Sequence, residues 1–563
     1  MRHLFHMEFT SLFLLIFFIF QNDALVTRIP KGLTPWKGTN FLRWLRMYAT
    51  ASEASNQKCE VDEVCSTKEE IIWCDLWKNA RFAPGEREVN ARRFFKWCQE
   101  SNFFDGEPAV CIKDGGPERG LGLYATRNVQ ADEILVTIPR NKIFSSDNIP
   151  PPLEGELNEV SEKLWEAQLR CELQSSSKDE LPPPVKLALN LIYHKSLGKN
   201  SDFHAYLSAL PRSYNELPAF WVDEELQWLK GTIVYNDCIL LRKRLLKEYN
   251  LLVDAVQKHI SPNFSLSDWC WARATALSRA YSVGGSYCLC PLLDMSNHDD
   301  NIKYAVLGSN GEFVEKGTTL FVSEQKYSKG DEVMSTYGNI LNWQKLFSFG
   351  YATDGNGKPL DGATELKVQF DHDDTHLMEK NMVLEAMKKK GEIGGSLFFR
   401  VSDFQQISAE NSFELAAKAA INEQVQQKFK KLIFEQALPI ARLHVLNERI
   451  WKDVFGEIQS HMLSQQSFLQ DTWNYLLKIS SIAEEQKAVQ VLTGCCRSQV
   501  QELMNSLESV PKVTQGSTPV DVNLSSNFNK DKSVFCANVL IGELITLQVI
   551  LDLLKKYLDE IKD

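Results

Sequence analysis

Two segments decide what this chain can be: Pro291-Leu-Leu-Asp-Met-Ser-Asn-His298 and Gly330-Asp-Glu-Val-Met-Ser-Thr-Tyr-Gly338. In the first, Asn297 and His298 stand side by side after an apolar run, and both side chains need hydrogen-bond partners wherever they are buried. In the second, Tyr337 ends a strand pattern beside a glycine. Taken alone, His298 predicts a hydrogen-bonded core histidine and Tyr337 a packing residue. The rest of the sequence must therefore decide their meaning.

Strand-like and helix-like regions alternate around these segments. Short apolar runs bounded by turn residues predict three strands before the first segment. These runs are Val110–Ile112, Leu123–Thr126 and Glu133–Ile138. Helical spacing dominates 155–275, and short strands return between Tyr287 and Val333. Beyond a glycine-rich linker at 353–363, helical spacing resumes, and leucines recur every three or four residues from Leu540 to Leu558.

A glycine-rich turn lies between the first two predicted strands. Gly120-Leu-Gly-Leu-Tyr-Ala125 fits the dinucleotide-binding pattern G-x-G-x-x-A, but that fold needs a helix next and a strand pattern follows here. Gly115–Gly122 also lacks the Lys-Ser/Thr pair of a P-loop. The sequence therefore predicts a tight turn through which the backbone can approach a ligand closely.

Four motifs in this order resemble those of the SET-domain methyltransferases. They are Arg119-Gly-Leu-Gly122, Leu277-Ser-Arg-Ala-Tyr281, Asp294-Met-Ser-Asn-His298 and Ser335-Thr-Tyr-Gly338. The resemblance is strongest to the group that contains the Rubisco large-subunit lysine methyltransferase and the actin-histidine methyltransferase. It covers residues 90–355 closely, and the long helical stretch between the first two motifs is similar to the insert that marks this group.

The resemblance implies an α+β architecture. Its first part is a SET fold of small β-sheets, with a knot-like crossing that brings the Asn-His strand beside the tyrosine segment. An all-α substrate-binding domain follows it. The implied boundaries are an N-terminal extension at 1–85, a catalytic domain at 86–355 with its helical insert at about 150–270, and a helical C-terminal domain at 356–563.

The resemblance also implies S-adenosylmethionine as the methyl donor and Tyr337 as the catalytic tyrosine at the methyl-transfer channel. Tyr281 would line the substrate side of that channel, and no metal would be needed. The implied donor contacts are Arg119, Gly120, Leu121, Arg279, Asp294, Asn297 and His298. The chain departs from the plant enzyme at Phe349, which stands where that enzyme has a donor-site tyrosine.

Three functions fit this resemblance. The first is protein-lysine N-methylation of a non-histone protein, since the cysteine-rich segment that follows many histone-directed SET domains is missing: no cysteine occurs from 291 to 494. The second is histidine methylation by the same fold. Tyr281 opposes it, because the actin-histidine branch has asparagine there and an aromatic wall suits the alkyl stem of lysine. The third is a non-catalytic peptide-binding module, which the retention of Asn297, His298 and Tyr337 opposes.

The amino-acid composition restricts which binding partners and metal sites are expected. Lys and Arg number 62 against 73 Asp and Glu, a formal net charge of −11, so bulk charge gives no reason to expect nucleic-acid binding. Thirteen cysteines without a C-x-x-C pair predict buried thiols rather than a zinc site or a disulfide framework. We expect a monomer that acts on a protein substrate.

The N-terminal segment has features of a targeting sequence. Leu12–Phe20 is an apolar run of a length typical of a secretory signal and too short to span a membrane. Thr27–Ser52 is basic, hydroxylated and free of acidic residues, as in an organelle transit peptide. The alternative is an unstructured extension of a cytoplasmic or nuclear protein. No transmembrane segment is predicted.

Overall fold

The structure is a computed structural model. It describes residues 73–78, 80–116, 120–147, 149–157, 160–161, 181–283, 286–302, 306–307, 318–338, 340–353, 362–368, 374, 376–390, 397–401, 423–446, 476, 481–511 and 528–562. The targeting-like features before residue 73 lie outside these residues, and so does Arg119.

The described strands form four small antiparallel sheets. They are β1 (Val110–Asp114), β2 (Leu121–Ala125), β3 (Ile134–Pro139), β4 (Phe144–Ser145), β5 (Tyr281–Val283), β6 (Ser286–Leu289), β7 (Val306–Leu307), β8 (Thr318–Val322), β9 (Gly362–Leu366) and β10 (Leu397–Val401). The sheet orders are β1-β2, β3-β8-β7, β4-β6-β5 and β10-β9. Asp114 pairs with Leu121, so the predicted glycine turn closes the β1–β2 hairpin, with Gly120 at φ +63°.

The described α-helices include those that helical spacing predicts between residues 155 and 275. They are α1 (Glu86–Glu100), α2 (Pro183–Ser196), α3 (His204–Ala209), α4 (Asp223–Leu226), α5 (Ile233–His259), α6 (Leu266–Arg279), α7 (Asn342–Phe349), α8 (Leu377–Lys390), α9 (Glu423–Leu432), α10 (Leu438–Val445), α11 (Ile482–Ser509) and α12 (Phe528–Glu560). Helices α2 to α6 lie between β4 and β5, where the insert is expected.

Helix α6 ends at Arg279, one of the predicted site residues. Ser265 and Asp268 form a capping box that fixes where the helix begins. The buried carboxylate of Glu248 on α5 then accepts hydrogen bonds from Trp269 and Arg273 of α6, at 3.1 and 2.9 Å. Because both ends of the contact are buried, α6 is locked against α5. Its last residue, Arg279, is thereby held in place, and β5 follows directly.

Two tryptophans before residue 86 pack on the core. Trp77 is 5% exposed, its ring centroid lies 4.6 Å from that of Phe220, and its Nε1 donates to the Ser267 carbonyl. Trp73 is also buried and lies 6.3 Å from Phe220. Isolated tryptophans in a polar stretch give no periodic signal, so the sequence did not reveal this packing.

The C-terminal helices pack on the part of the chain that precedes residue 356. Glu543 of α12 is 2% exposed and accepts a 2.8 Å hydrogen bond from the Ile233 peptide N–H at the start of α5. The β9–β10 pair, which helical spacing gave no reason to expect, packs on α12 so tightly that a Cβ on Gly362 would lie 2.1 Å from the Gly542 carbonyl oxygen. Residues 532–560 are long and apolar enough to cross a membrane, but 61% of their most apolar window is buried in the fold.

Candidate active site

The Asn-His segment, 291–298, and the tyrosine segment, 330–338, meet in the structure. His298 and Ser335 form a parallel bridge, in which the Ser335 N–H donates to the Asn297 carbonyl at 2.8 Å and the Asp299 N–H donates to the Ser335 carbonyl at 3.0 Å. Because both hydrogen bonds use the residues flanking His298, the peptide N–H and C=O of His298 itself point to the opposite edge. This crossing places Tyr337 beside the Asn-His pair.

Tyr337 is held at three points. Its hydroxyl donates to the Ser296 carbonyl at 2.9 Å, and its peptide N–H donates to His298 Nδ1 at 3.1 Å. Its ring lies 5.1 Å from the His298 ring at 28° and 4.6 Å from the Phe349 ring at 36°. Burial raises the pKa of Tyr337 to about 12, with the Asp294 and Glu332 carboxylates acting in the same direction and Arg279 against them. The phenol therefore stays protonated at neutral pH.

His298 uses both ring nitrogens inside the protein. Nδ1 accepts from Tyr337, and Nε2 lies 2.8 Å from Oδ1 of Asp300. Asp300 in turn binds the Lys345 ammonium, whose side chain is 2% exposed. The His298 ring is therefore committed to internal contacts, and the sequence gave no sign of Asp300 or Lys345 as its neighbours.

Asn297 points to another acidic side chain. Its Nδ2 donates to Glu332 Oε1 at 2.6 Å. Strand β2 passes close by: a Cβ on Gly122 would lie 2.9 Å from Glu332 Oε1 and 3.6 Å from Asn297 Nδ2. Only glycine leaves room for this approach, so the glycine turn predicted from the sequence does lie against the Asn-His segment. Gly120 and Leu121 lie just before Gly122, where β2 begins.

Arg279, which is partly buried, pairs with the fully buried Asp294. Arg279 Nη1 donates to the Asp294 carbonyl oxygen at 2.8 Å and lies 3.5 Å from its carboxylate Oδ2, which also accepts from the Tyr206 hydroxyl at 2.8 Å. Burial raises the pKa of Asp294 to about 6, although Arg279 and Tyr206 act in the opposite direction. Arg279 Nε is buried with no hydrogen-bond partner among the described residues. Tyr206 is a site residue that the sequence reading missed, because a tyrosine inside an amphipathic helix looks like packing.

Tyr281 and Tyr351 complete the aromatic surroundings. Burial raises the pKa of Tyr281, with Tyr337 and Asp294 acting in the same direction and Ser335 against them. Phe349 packs on Tyr337 as a purely apolar ring. Two residues later, the buried hydroxyl of Tyr351 has no hydrogen-bond partner among the described residues.

The predicted site residues thus converge, except Arg119, which lies outside the described residues. Within the described residues, no group of three or more His, Cys, Asp or Glu side chains is arranged to hold a metal ion. The site consists of a phenol, backbone carbonyls, a partly buried guanidinium and a glycine-lined strand.

Comparison with solved structures defines the class of fold. The SET domain of LSMT bound to lysine and AdoHcy matches with a TM-score of 0.59 at 17% identity, covering 84% of this chain and 92% of that one. Rubisco LSMT bound to AdoMet matches with a TM-score of 0.56 at 18% identity, covering 84% and 93%. The chain therefore has the SET fold of these structures followed by a helical region, which confirms the expected α+β architecture.

Sequence comparison gives relatives of two kinds, although no family model matches the chain. The chain is 27% identical over 342 residues to the chloroplastic [fructose-bisphosphate aldolase]-lysine N-methyltransferase of Arabidopsis thaliana, covering 58% of this chain and 64% of that protein. It is 26% identical over 286 residues to the actin-histidine N-methyltransferase of Mus musculus, covering 48% and 44%. The matches thus span less than two thirds of either relative, and the chain is similar to both lysine- and histidine-directed methyltransferases.

Proposed function

We propose that this chain is an S-adenosylmethionine-dependent protein N-methyltransferase whose acceptor is a lysine of a non-histone protein. The observation that carries the proposal is the crossing at His298 and Ser335. It sets the Tyr337 hydroxyl and the Ser296 carbonyl beside the Asn297 and Arg279 side chains. A protonated phenol and a backbone carbonyl beside these polar side chains can orient an amine toward a sulfonium donor.

The residues present fit the donor. The buried, unpartnered Nε of Arg279 suits a carboxylate, which the methionine part of the donor carries. Asn297 gives its Nδ2 to Glu332, so its amide oxygen is the group left to accept from the donor's ammonium. The backbone of Gly120 and Leu121, together with the outward peptide groups of His298, would complete the site. The Asp294 side chain is 0% exposed and holds Arg279, so we assign it to support rather than direct contact.

The reaction is a single displacement. When bound, the donor supplies a methyl group already activated by its sulfonium. The neutral acceptor nitrogen attacks the methyl carbon, an N–C bond forms as the C–S bond breaks, and the electron pair of that bond stays on sulfur as a thioether. Tyr337 remains protonated, donates to the Ser296 carbonyl and can accept an N–H of the amine, so it orients the nitrogen without acting as a base.

The acceptor must be neutral before it reacts. A lysine ammonium with an ordinary pKa of about 10.4 loses its proton to water more readily in an apolar channel close to a positive sulfonium. Tyr281, Phe349 and the Tyr337 ring form such aromatic walls, which suit the alkyl stem of lysine. Histidine is the second candidate acceptor, because the mouse relative is named for that activity.

The C-terminal helical region, 356–563, is proposed as the docking surface for the protein substrate. Amphipathic helices are common platforms for protein partners, and none of the four donor motifs lies there. Its firm contact with the catalytic part, through Glu543 and Ile233, would keep a docked substrate in register with the channel.

Three acceptor samples test the proposal: purified fructose-bisphosphate aldolase, purified actin and an unfractionated cell extract, each with methyl-labelled donor and full-length protein. Mass spectrometry then identifies the modified residue. Label on lysine supports the leading proposal, and label on histidine supports the second candidate. Donor binding without transfer to any sample would favour a non-catalytic module, and absence of donor binding by calorimetry would refute both activities.

A further inference from the structure

A buried lysine lies behind the active site. Lys345 on α7 has a side chain only 2% exposed, and its Nζ lies 2.7 Å from Oδ1 and 2.8 Å from Oδ2 of Asp300. Thr353 Oγ1 is a third, longer contact at 3.4 Å. Lysine is almost never fully buried unless it is paired, so the carboxylate of Asp300 fixes where this ammonium sits. The sequence motifs of the site include neither residue.

Asp300 also contacts His298. Its Oδ1 lies 2.8 Å from His298 Nε2, while His298 Nδ1 lies 3.1 Å from the Tyr337 peptide nitrogen. A peptide N–H can only donate, so Nδ1 must be the unprotonated acceptor. Nε2 then carries the proton and donates it to Asp300. The ring is thereby fixed in one tautomer and one orientation by contacts at both nitrogens.

The positive charge of Lys345 compensates the negative charge of Asp300. The hydrogen bond from His298 and the Lys345 ammonium hold the pKa of the Asp300 carboxyl well below its usual range. Without the Lys345 ammonium, the Asp300 carboxylate would lose its cationic partner, and an uncompensated charge is drawn toward water. Asp300 Oδ1 would then leave His298 Nε2, and the ring would lose the contact that holds Nδ1 against the Tyr337 N–H. Lys345 thus keeps Asp300 in the orientation that fixes the His298 ring.

We propose that Lys345 and Asp300 are positioning residues for Tyr337, acting through His298. The His298 ring stacks on the Tyr337 ring at 5.1 Å, so its orientation sets the angle at which the hydroxyl meets the acceptor. Neither residue contacts Tyr337 through its own hydrogen bonds in the described contacts. The inference rests on the proposed methyl transfer, and it adds that the precision of the transfer depends on an ion pair outside the reacting groups.

The first test replaces Lys345→Met in the full-length protein, with Arg242→Met as the matched control. Arg242 is also a buried cation paired with an aspartate, Asp223 at 2.5 Å, but it lies in the helical insert and is not among the residues assigned to donor or substrate. The readouts are the initial rate of labelling of a fixed cell extract and the donor Kd by calorimetry. For K345M we expect a rate at least ~10-fold lower with a donor Kd within ~3-fold of wild type. For R242M we expect lower thermal stability and an unchanged rate per folded molecule.

The second test removes both charges. In the Lys345→Met, Asp300→Asn double variant, the asparagine oxygen can still accept from His298 Nε2, and no unpaired carboxylate remains. The rate should recover to within ~3-fold of wild type, whereas independent effects would multiply. A double variant slower than K345M would overturn the proposal. So would a K345M variant that loses stability but keeps its rate.

A third measurement needs no turnover. A crystal structure of K345M should show the Tyr337 nitrogen beyond hydrogen-bond distance of His298 Nδ1, and a retained contact near 3.1 Å would overturn the proposal. If the wild-type protein labels no sample, the proposed function fails, while this distance still decides whether Lys345 positions Tyr337.

Discussion

Replacing Tyr337→Phe removes one hydroxyl and leaves the packing of the ring almost unchanged. In the resting protein the hydroxyl makes one 2.9 Å hydrogen bond, to the Ser296 carbonyl, so its loss should cost about 1 kcal/mol of folding stability. In the reaction the loss is larger, because the same oxygen orients the acceptor nitrogen at the moment of transfer. Removing one preorganised polar group from a water-excluded site typically costs ~2.7–4 kcal/mol of transition-state stabilisation.

The expected result is therefore a fall of ~100-fold or more in the single-turnover rate of methylation, at ~1.36 kcal/mol per tenfold. The donor Kd should change little, because Arg279, Asn297 and backbone groups are proposed to hold the donor. Single-turnover assays with saturating labelled donor measure the rate, and calorimetry measures the Kd.

Tyr287→Phe is the matched control. The Tyr287 hydroxyl also donates to a backbone carbonyl at 2.9 Å, that of Ala276, and the residue is 9% exposed. It should lose similar stability while keeping the wild-type rate. A Tyr337→Phe rate within ~3-fold of wild type, less than 1.36 kcal/mol on the same scale, would mean that Tyr337 is core packing and that the catalytic assignment is wrong.

Three further predictions follow from named contacts. Asn297→Ala should weaken donor binding by at least ~10-fold in calorimetry, because it removes the amide oxygen proposed to accept from the donor; an unchanged Kd would contradict the assignment. The pKa of Asp294 is raised to about 6 in the fold, so between pH 7 and 5 the native state takes up a proton that the unfolded chain does not. Over that interval wild type should gain about 1 kcal/mol of stability relative to Asp294→Asn, and an equal pH dependence of the two unfolding curves would reject the assigned cause. Gly362→Ala should destabilise the protein by more than about 2 kcal/mol, because its Cβ would lie 2.1 Å from the Gly542 carbonyl oxygen. As its control, Gly494→Ala, inside α11 with nothing within 4 Å of the new Cβ, should instead raise the free energy of unfolding by up to about 1 kcal/mol.

The proposed site relies on polar side chains that hold one another in place before any ligand binds. Tyr206 and Arg279 hold the Asp294 carboxylate, and Glu332 holds the Asn297 amide. Such pre-set groups need not reorganise when donor and acceptor arrive, which lowers the cost of reaching the transition state.

The sequence alone determined the local secondary-structure elements and the candidate side chains of the site. Glycine placement predicted the β1–β2 turn, periodic apolar residues predicted the insert helices, and ordered short motifs pointed to Tyr337, Asn297 and His298. These signals are local, because turn chemistry and helical spacing are written in neighbouring residues. The SET resemblance then supplied the crossing as an expectation, and the structure confirmed it through His298 and Ser335.

Only the tertiary structure decided which side chains support that site. Tyr206 meets Asp294 across 88 positions of sequence, and Lys345 meets Asp300 across 45. A buried lysine and an exposed one look alike in a sequence, because burial depends on what the rest of the chain packs around them. The same holds for Trp77, whose partner Phe220 is far along the chain. Long-range pairing therefore fixed the tautomer of His298, the place of Arg279 and the packing of Trp77, since each depends on contacts that no local pattern encodes.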